Sequence, residues 1–305
     1  MSAVAAFDWG GTWIRGALVD DGAVLASERA RSPSAPVDQI ALVASLVGGL
    51  ATRAVTPIGA VGVGIAGIVR EGRVLSGSNL GLKGFDLKEA LERELSLPVR
   101  VVNDTQAVAL AELSVSGPGE TAAFLSVGTG IGGAVVYDGR LFTGGGAAGD
   151  FGHMPVVLGG PLCACGARGC LEQLASGRVL NTVAAGLAAS GRSPLLAEIA
   201  RSGRPLHAGD LEEAAGKGDG AAAAALEAAG AALVTGLRCV AAAYDPHRIV
   251  VGGGLLRPGS YLLAKLEAGW TEERPAWTTA ELTLAGRGDD AGLLGAALLW
   301  GPTGI

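Results

Sequence analysis

The sequence predicts an α/β protein built as two related lobes. The first observation behind this is an internal repeat. Displaced by 117 positions, "GTWIRGALVDDG" (Gly11–Gly22) lies over "GTGIGGAVVYDG" (Gly128–Gly139), with eight of twelve residues identical. The second is context: each copy follows a strand-like run, "AVAAF" (Ala3–Phe7) or "TAAFLSV" (Thr121–Val127), and ends in a Gly turn. The third is that short β-rich runs elsewhere alternate with helical ones, the pattern of a sheet covered by helices. A chain of 305 residues suits two lobes better than one core.

Taken in order, each copy of the repeat reads strand, Gly-rich turn, strand, turn, strand. The first half continues with a helix over Val37–Val55, a buried strand over Ala60–Gly67 and a helix over Asp86–Leu95. A strand follows over Val99–Asn103, then a helix from about Thr105. "SVSGPGE" (Ser114–Glu120) breaks the pattern, which gives lobes of residues 1–116 and 117–305. The second lobe adds a cysteine cluster and an Ala-rich helical stretch over Leu171–Tyr244. It ends with a strand-turn over Arg248–Gly259, a helix, a strand near Glu281–Ala285 and a final helix expected to return to the first lobe. Two such lobes enclose a cleft, a favoured place for a ligand.

Charged residues are 17% of the chain and the net charge is −6, which argues against nucleic acid and anionic membranes as partners. An anionic ligand remains open, because backbone amides bind one without Lys or Arg. "MSAVAAFDWGGTWIR" has neither the basic region nor the long apolar core of a signal peptide. Apolar runs such as Ala291–Trp300 fall short of the roughly 20 residues of a membrane helix. The helical run Gly220–Tyr244 carries Glu227 and Arg238 and reads as a buried or interface helix. The expectation is a soluble cytoplasmic protein. In that compartment, clustered cysteines are more often metal ligands or catalytic groups than disulfides.

"GTGIGG" (Gly128–Gly133) matches the dinucleotide pattern G-x-G-x-x-G, but a strand rather than a helix follows it. No P-loop motif occurs. Two hairpin turns carrying Gly-Thr remain. Such turns expose N–H groups and a hydroxyl that can hold phosphate oxygens from two sides. Their simpler reading is a tight hairpin that needs Gly only for positive φ; the duplication favours the phosphate reading. Asp8, at the end of its strand, suits Mg²⁺ held through water, or a plain turn. "GGG" (Gly252, Gly253, Gly254) admits a flat ligand close to the backbone, or simply turns a strand toward a helix. "VVNDTQAVAL" places Asn103 and Asp104 where a strand ends and a helix begins, a ligand-binding position in α/β sheets. Asp104 is either a helix cap or a carboxylate base for a hydroxyl proton. Ala107, three residues on, cannot complete a capping box with it.

Cys163-x-Cys165-x4-Cys170 puts three of the four cysteines in one short loop, with His153 just upstream. Structural zinc takes four such ligands, and His153 is the economical fourth. The C-x-x-C of redox sites is absent. Free thiols and a Cys163–Cys170 disulfide stay open. Cys239 reads as a small buried hydrophobe. His207 and His247 carry no assigned role.

"FDWGGTWIRGALVD", "SVGTGIGGAVV", "GDFGHM" and "CACGARGCLEQLASG" together resemble the ROK family of sugar kinases and repressors, across nearly the whole chain. The resemblance implies the actin/hexokinase-like (ribonuclease H-like) fold with its interlobe cleft. It implies an ATP- and Mg²⁺-dependent hexose kinase, nearest in pattern to the family's glucokinases, with glucose as the expected acceptor, phosphorylated at its 6-hydroxyl to glucose 6-phosphate. It places Asp8, Gly10, Gly11 and Thr12 in the first phosphate loop, Gly128, Thr129 and Gly130 in the second, and Gly252–Gly254 against adenosine. It makes Asp104 the base, with Asn79, Asn103, Asp104, Asp150, His153 and Glu172 on the sugar. It makes His153, Cys163, Cys165 and Cys170 the ligands of a structural Zn²⁺, and suggests a homodimer or homotetramer. The chain departs from the family's pattern twice. Asp150 stands where Glu is usual, and Ala66 replaces the proline of a G-x-P-G turn. Fructose, mannose and N-acetylhexosamine kinases are the alternatives within the class. A non-catalytic sugar sensor or regulator is the alternative outside it. The family's repressors carry a DNA-binding domain before this point, and a first loop beginning by Asp8 leaves no room for one.

Overall fold

The structure, a computed structural model, describes residues 2–77, 80–114 and 119–301. Asn79 and most of the "SVSGPGE" break lie outside the described residues. Two five-stranded sheets carry the fold. The first contains β1 (Ala3–Trp9), β2 (Trp13–Asp20), β3 (Ala23–Arg31) and β4 (Ile58–Ile65). After helix α1 (Pro36–Ala51) and strand β4, a small antiparallel sheet follows: β5 (Ile68–Arg70), β6 (Arg73–Ser76) and β7 (Phe85–Asp86). Helix α2 (Leu87–Leu95), β8 (Val99–Asn103) and α3 (Asp104–Leu113) complete this half. The second sheet contains β9 (Thr121–Val127), β10 (Ile131–Tyr137), β11 (Arg140–Phe142), β12 (Arg248–Gly252) and β13 (Glu281–Leu284).

The strand orders are β3-β2-β1-β4-β8 and β11-β10-β9-β12-β13, one topology used twice. The antiparallel pairs β2–β3 and β10–β11 close through matching turns. Asp21 and Gly22 have φ of 47° and 74°, and Asp138 and Gly139 have φ of 52° and 72°. Two successive positive φ values define the type I′ hairpin, whose twist matches that of the strands. The repeated Asp-Gly of the sequence is therefore a repeated turn. The small β5–β7 sheet was not foreseen. Its strands are two to four residues long, too short to show a period.

Contacts divide the chain into two compact units. The first takes Met1–Glu120, Ala134–Gly149 and Gly286–Ile305, and the second takes Thr121–Gly133 and Asp150–Ala285. In the first unit, one face of the sheet buries Phe7, Val63 and Ile65 with Val43 and Val47 of α1 and Leu91 of α2. The other face packs Ala6, Ala17 and Val19 against Leu293, Ala296 and Ala297 of the last helix, α10 (Ala291–Leu298). That approach depends on glycine. A Cβ on Gly62 would lie 1.9 Å from the Ala296 carbonyl oxygen, and one on Gly295 would lie 1.6 Å from that of Ala107.

The second unit is largely helical: α4 (Glu172–Ala175), α5 (Gly177–Ala189), α6 (Pro194–Arg201), α7 (Ala208–Gly216), α8 (Gly220–Tyr244) and α9 (Tyr261–Glu273). By length and composition alone, α8 could cross a membrane. It packs instead as a core helix, burying Leu226, Leu233, Leu237 and Val240. Its two charges point at α9, where Glu227 meets Lys265 at 2.7 Å and Arg238 meets Glu273 at 3.2 Å.

Candidate active site

In the first unit, β1 delivers Asp8 and the β8–α3 junction delivers Asp104. The helix cap is not Asp104. Asn103 is the cap, its Oδ1 accepting from the N–H groups of Thr105 (2.9 Å) and Gln106 (3.2 Å). Gln106 answers by accepting from the Asn103 N–H at 3.2 Å, so a full capping box forms on Asn103, the residue before Asp104. Asn103 Nδ2 also donates to the Gly67 carbonyl at 3.0 Å, and the Asn103 side chain hydrogen-bonds the Asp104 carboxylate as well.

Asp104, relieved of capping, is the first helical residue. Burial raises its carboxyl above the usual carboxylate range, against the opposing pull of the Thr105 N–H and hydroxyl. Asp8 is raised as well, first by burial and then by the negative charge of Asp104, while Arg15 pulls it down. Arg15 lies opposite Asp8 in the β1–β2 register, 4.0 Å from its carboxylate. It is anchored at 2.7 Å to Asp290 and at 2.6 Å to the Asp289 carbonyl. Gly292, in the first turn of α10, lets that helix end approach Asp8: a Cβ there would sit 3.4 Å from the Asp8 carboxyl carbon. Two neighbouring carboxylates that both resist ionisation form a donor set that a divalent cation would relieve. The first Gly-Thr loop begins beside Asp8, with the Gly10 N–H bonded to the Trp13 carbonyl at 3.0 Å.

In the second unit, Gly128, Thr129 and Gly130 link β9 to β10. The N terminus of α5 holds this loop: Gly177 N–H donates to the Gly128 carbonyl at 2.8 Å, and Arg178 N–H to that of Thr129 at 3.1 Å. Glu172 also serves it. One carboxylate oxygen accepts from the Ile131 N–H at 3.0 Å and the other from Arg178 at 2.8 Å. Gly252 and Gly253 are explained by packing. Cβ atoms there would lie 2.7 Å from Ala285 Cβ and 2.5 Å from the Val127 carbonyl oxygen. Gly254 faces open space.

His153, Cys163, Cys165 and Cys170 bring their ligand atoms within 4.8 Å of one another. Metal–sulfur bonds of about 2.3 Å in a tetrahedron imply S–S edges of about 3.8 Å. Cys165 and Cys170 are 3.7 Å apart, and Cys163 Sγ is 3.5 Å from His153 Nδ1. His153 Nε2 is turned the other way, 3.8 Å from Asp150. Burial and the adjacent thiols push Cys170 up to about 12. Hydrogen bonds from Ala167 and the neighbouring thiols lower Cys165 instead, and the three thiols with one imidazole form a donor set that fits zinc. Sequence reasoning missed Gln106, Arg15 and Arg178. Only Arg15 had a signal, its cross-strand position to Asp8 in a Gly-turn hairpin.

The ROK family model matches residues 4–302. The chain belongs to the ROK family. An N-acetylmannosamine kinase of Shigella flexneri is 34% identical, over 97% of this chain and 97% of that one. A ROK glucokinase from Streptomyces griseus, solved with glucose and AMPPNP, is 31% identical with a TM-score of 0.79, covering 98% of this chain and 99% of that one. A ROK hexokinase from Thermus thermophilus is 31% identical with a TM-score of 0.82 and 97% coverage of both chains. With these relatives, the ROK chain is a sugar kinase of the actin/hexokinase-like fold. Kinases of this kind imply ATP and Mg²⁺.

Proposed function

We propose that this ROK kinase transfers the γ-phosphoryl group of ATP to the 6-hydroxyl of a hexose, with N-acetylmannosamine as the preferred acceptor. The observation that carries the chemistry is Asp104: a half-buried carboxylate at a strand–helix junction whose capping duty Asn103 has taken over. As the O6–P bond forms and the β–γ P–O bond breaks, the hydroxyl proton passes to Asp104. Most of the remaining catalysis is positioning and charge neutralisation. Asp8 would hold Mg²⁺, which supplies charge neutralisation at the phosphates. The Gly10–Thr12 and Gly128–Gly130 loops supply N–H groups to the phosphates, and Gly254 leaves open space for adenosine. Asn79, Asn103, Asp150, His153 and Glu172 address the sugar. His153, Cys163, Cys165 and Cys170 hold a structural zinc that fixes the His153 ring.

The choice of acceptor rests on Asp150. Its carboxylate is one methylene shorter than the family's usual Glu, a change that would favour a bulkier 2-substituent. The curated relatives named N-acetylmannosamine kinases, at 34–35% identity, favour the same choice. Glucose is the second reading, favoured by the glucokinase solved with glucose. A coupled assay over N-acetylmannosamine, N-acetylglucosamine, glucose, mannose and fructose tests it. The expected result is a higher kcat/KM for N-acetylmannosamine than for glucose by tenfold or more. A preference for glucose overturns the acceptor, and turnover of none overturns the kinase reading.

A further inference from the structure

Glu172 lies two residues after Cys170 and is only 13% exposed, yet neither of its oxygens is without a protein donor. Both bonds lead to the second Gly-Thr loop and its support. Oε2 takes the N–H of Ile131, the first residue beyond the loop. Oε1 takes the guanidinium of Arg178, whose own N–H holds the Thr129 carbonyl. The loop is shaped around this carboxylate, since a Cβ on Gly130 would lie 2.6 Å from Oε2. The earlier copy of the repeat has Trp13 at the position equivalent to Gly130.

Arg178 is oddly placed by its own helix. It stands in the first turn of α5, where the helix dipole disfavours a cation. Its guanidinium is 59% exposed and has a carboxylate partner in Glu172. That pairing offsets the dipole and leaves Glu172 one fixed direction.

We propose that Glu172 and Arg178 are positioning residues for nucleotide binding. Arg178 orients Glu172, Glu172 fixes Ile131, and the pair sets the geometry in which the Gly128–Gly130 amides meet phosphate. This rests on the phosphate-loop reading above. It adds to Glu172 a role that its sugar contact does not require, and it gives Arg178 a role.

The test is calorimetric binding of AMPPNP to wild type, Glu172→Gln, Arg178→Gln, Arg178→Lys and the Glu172→Gln/Arg178→Gln double variant, each checked for fold by near-UV circular dichroism. Both single Gln variants should weaken AMPPNP on the order of tenfold, the scale of one charge-assisted hydrogen bond. Arg178→Lys should recover most of the loss. The double variant should be no weaker than the worse single, because the two residues act as one unit. Because Glu172 is shared with the sugar, Arg178→Gln should raise the KM for ATP by a larger factor than the KM for sugar. Additive losses overturn the proposal, as does tighter AMPPNP binding by Glu172→Gln, which would make Arg178 a direct phosphate ligand. Normal AMPPNP binding by Arg178→Gln also overturns it while leaving the kinase reading intact. Wild type that binds no AMPPNP overturns both.

Discussion

The two Gly-Thr loops began as copies of one another and are held in different ways. The first follows a strand that carries its own acid, Asp8, with Arg15 across the hairpin. The equivalent residue in the second copy is Leu125, 1% exposed in the core. That loop draws its acid from elsewhere in the chain, as Glu172. The frame, Phe7 matching Phe124 and Asp-Gly matching Asp-Gly, survived duplication. The chemistry diverged at the positions that touch the loops. Carboxylates elsewhere in the two units also differ in how they are held. Asp8 and Asp104 are raised by burial, whereas Asp210 and Asp219 are lowered by the Arg204 guanidinium and the Ser193 hydroxyl. In the proposed mechanism the first pair serves the reaction, whereas the second is held by the hydrogen bonds of helix caps and ion pairs.

The largest effect should come from the pair with raised carboxyls, Asp8 and Asp104. Asp104→Ala should lower kcat by about 10²–10⁴-fold, the usual worth of a general base. Turnover retained within tenfold would break the contrast. A folded pKa above that of free Asp means the stability tied to Asp8 and Asp104 is present in acid and lost as pH rises through their folded values. At neutral pH their charges cost stability, so Asp104→Asn should raise the melting temperature while it lowers activity. For the same reason, the acid limb of kcat/KM should lie above about 3.9, the value of free Asp.

Next in size is the contrast between the loops. Gly130→Ala drives a Cβ against Glu172, whereas a Cβ on Gly10 meets the Trp13 carbonyl oxygen at a less severe 3.3 Å. Gly130→Ala should therefore weaken AMPPNP on the order of tenfold, at the cost of one charged hydrogen bond. Gly10→Ala should do less to the fold around its own loop, and equal melting temperatures for the two variants would argue against the brace. Cys165→Ser should remove zinc, read as metal per chain by elemental analysis, and lower the melting temperature. A zinc-free wild type would remove the metal from the site.

The smallest effect belongs to the folding acids. Asp219 caps α8 through the N–H groups of Ala221 (3.1 Å) and Ala222 (3.0 Å). Asp219→Ala should cost about 1–2 kcal/mol in denaturant unfolding at pH 7. Because Asp210 and Asp219 lie below the free value, their stabilisation is present above about 3.9 and lost as pH falls through their folded values. The variant's deficit should therefore shrink in acid.

Local chemistry was readable from the chain alone. The repeat showed the three strands that open each sheet, because the strand–turn–strand signals lie within a dozen residues of one another. The cysteine loop and His153 were legible as a ligand set because metal ligands have a narrow chemistry and spacing. The sequence also placed Asn103 and Asp104 at a strand end. Which of the two capped the helix depended on the Gln106 side chain folding back, and that required the helix to exist. The Asp8–Arg15 pair needed the β1–β2 register. The Glu172–Arg178 brace needed α5 to arrive at a loop some fifty residues earlier in the chain. Period, composition and motif are local quantities, and so the sequence determined the elements and their inventory of ligands. The pKa of a carboxylate and the partner of an arginine depend on what is brought close across the fold, and only the tertiary structure decided those.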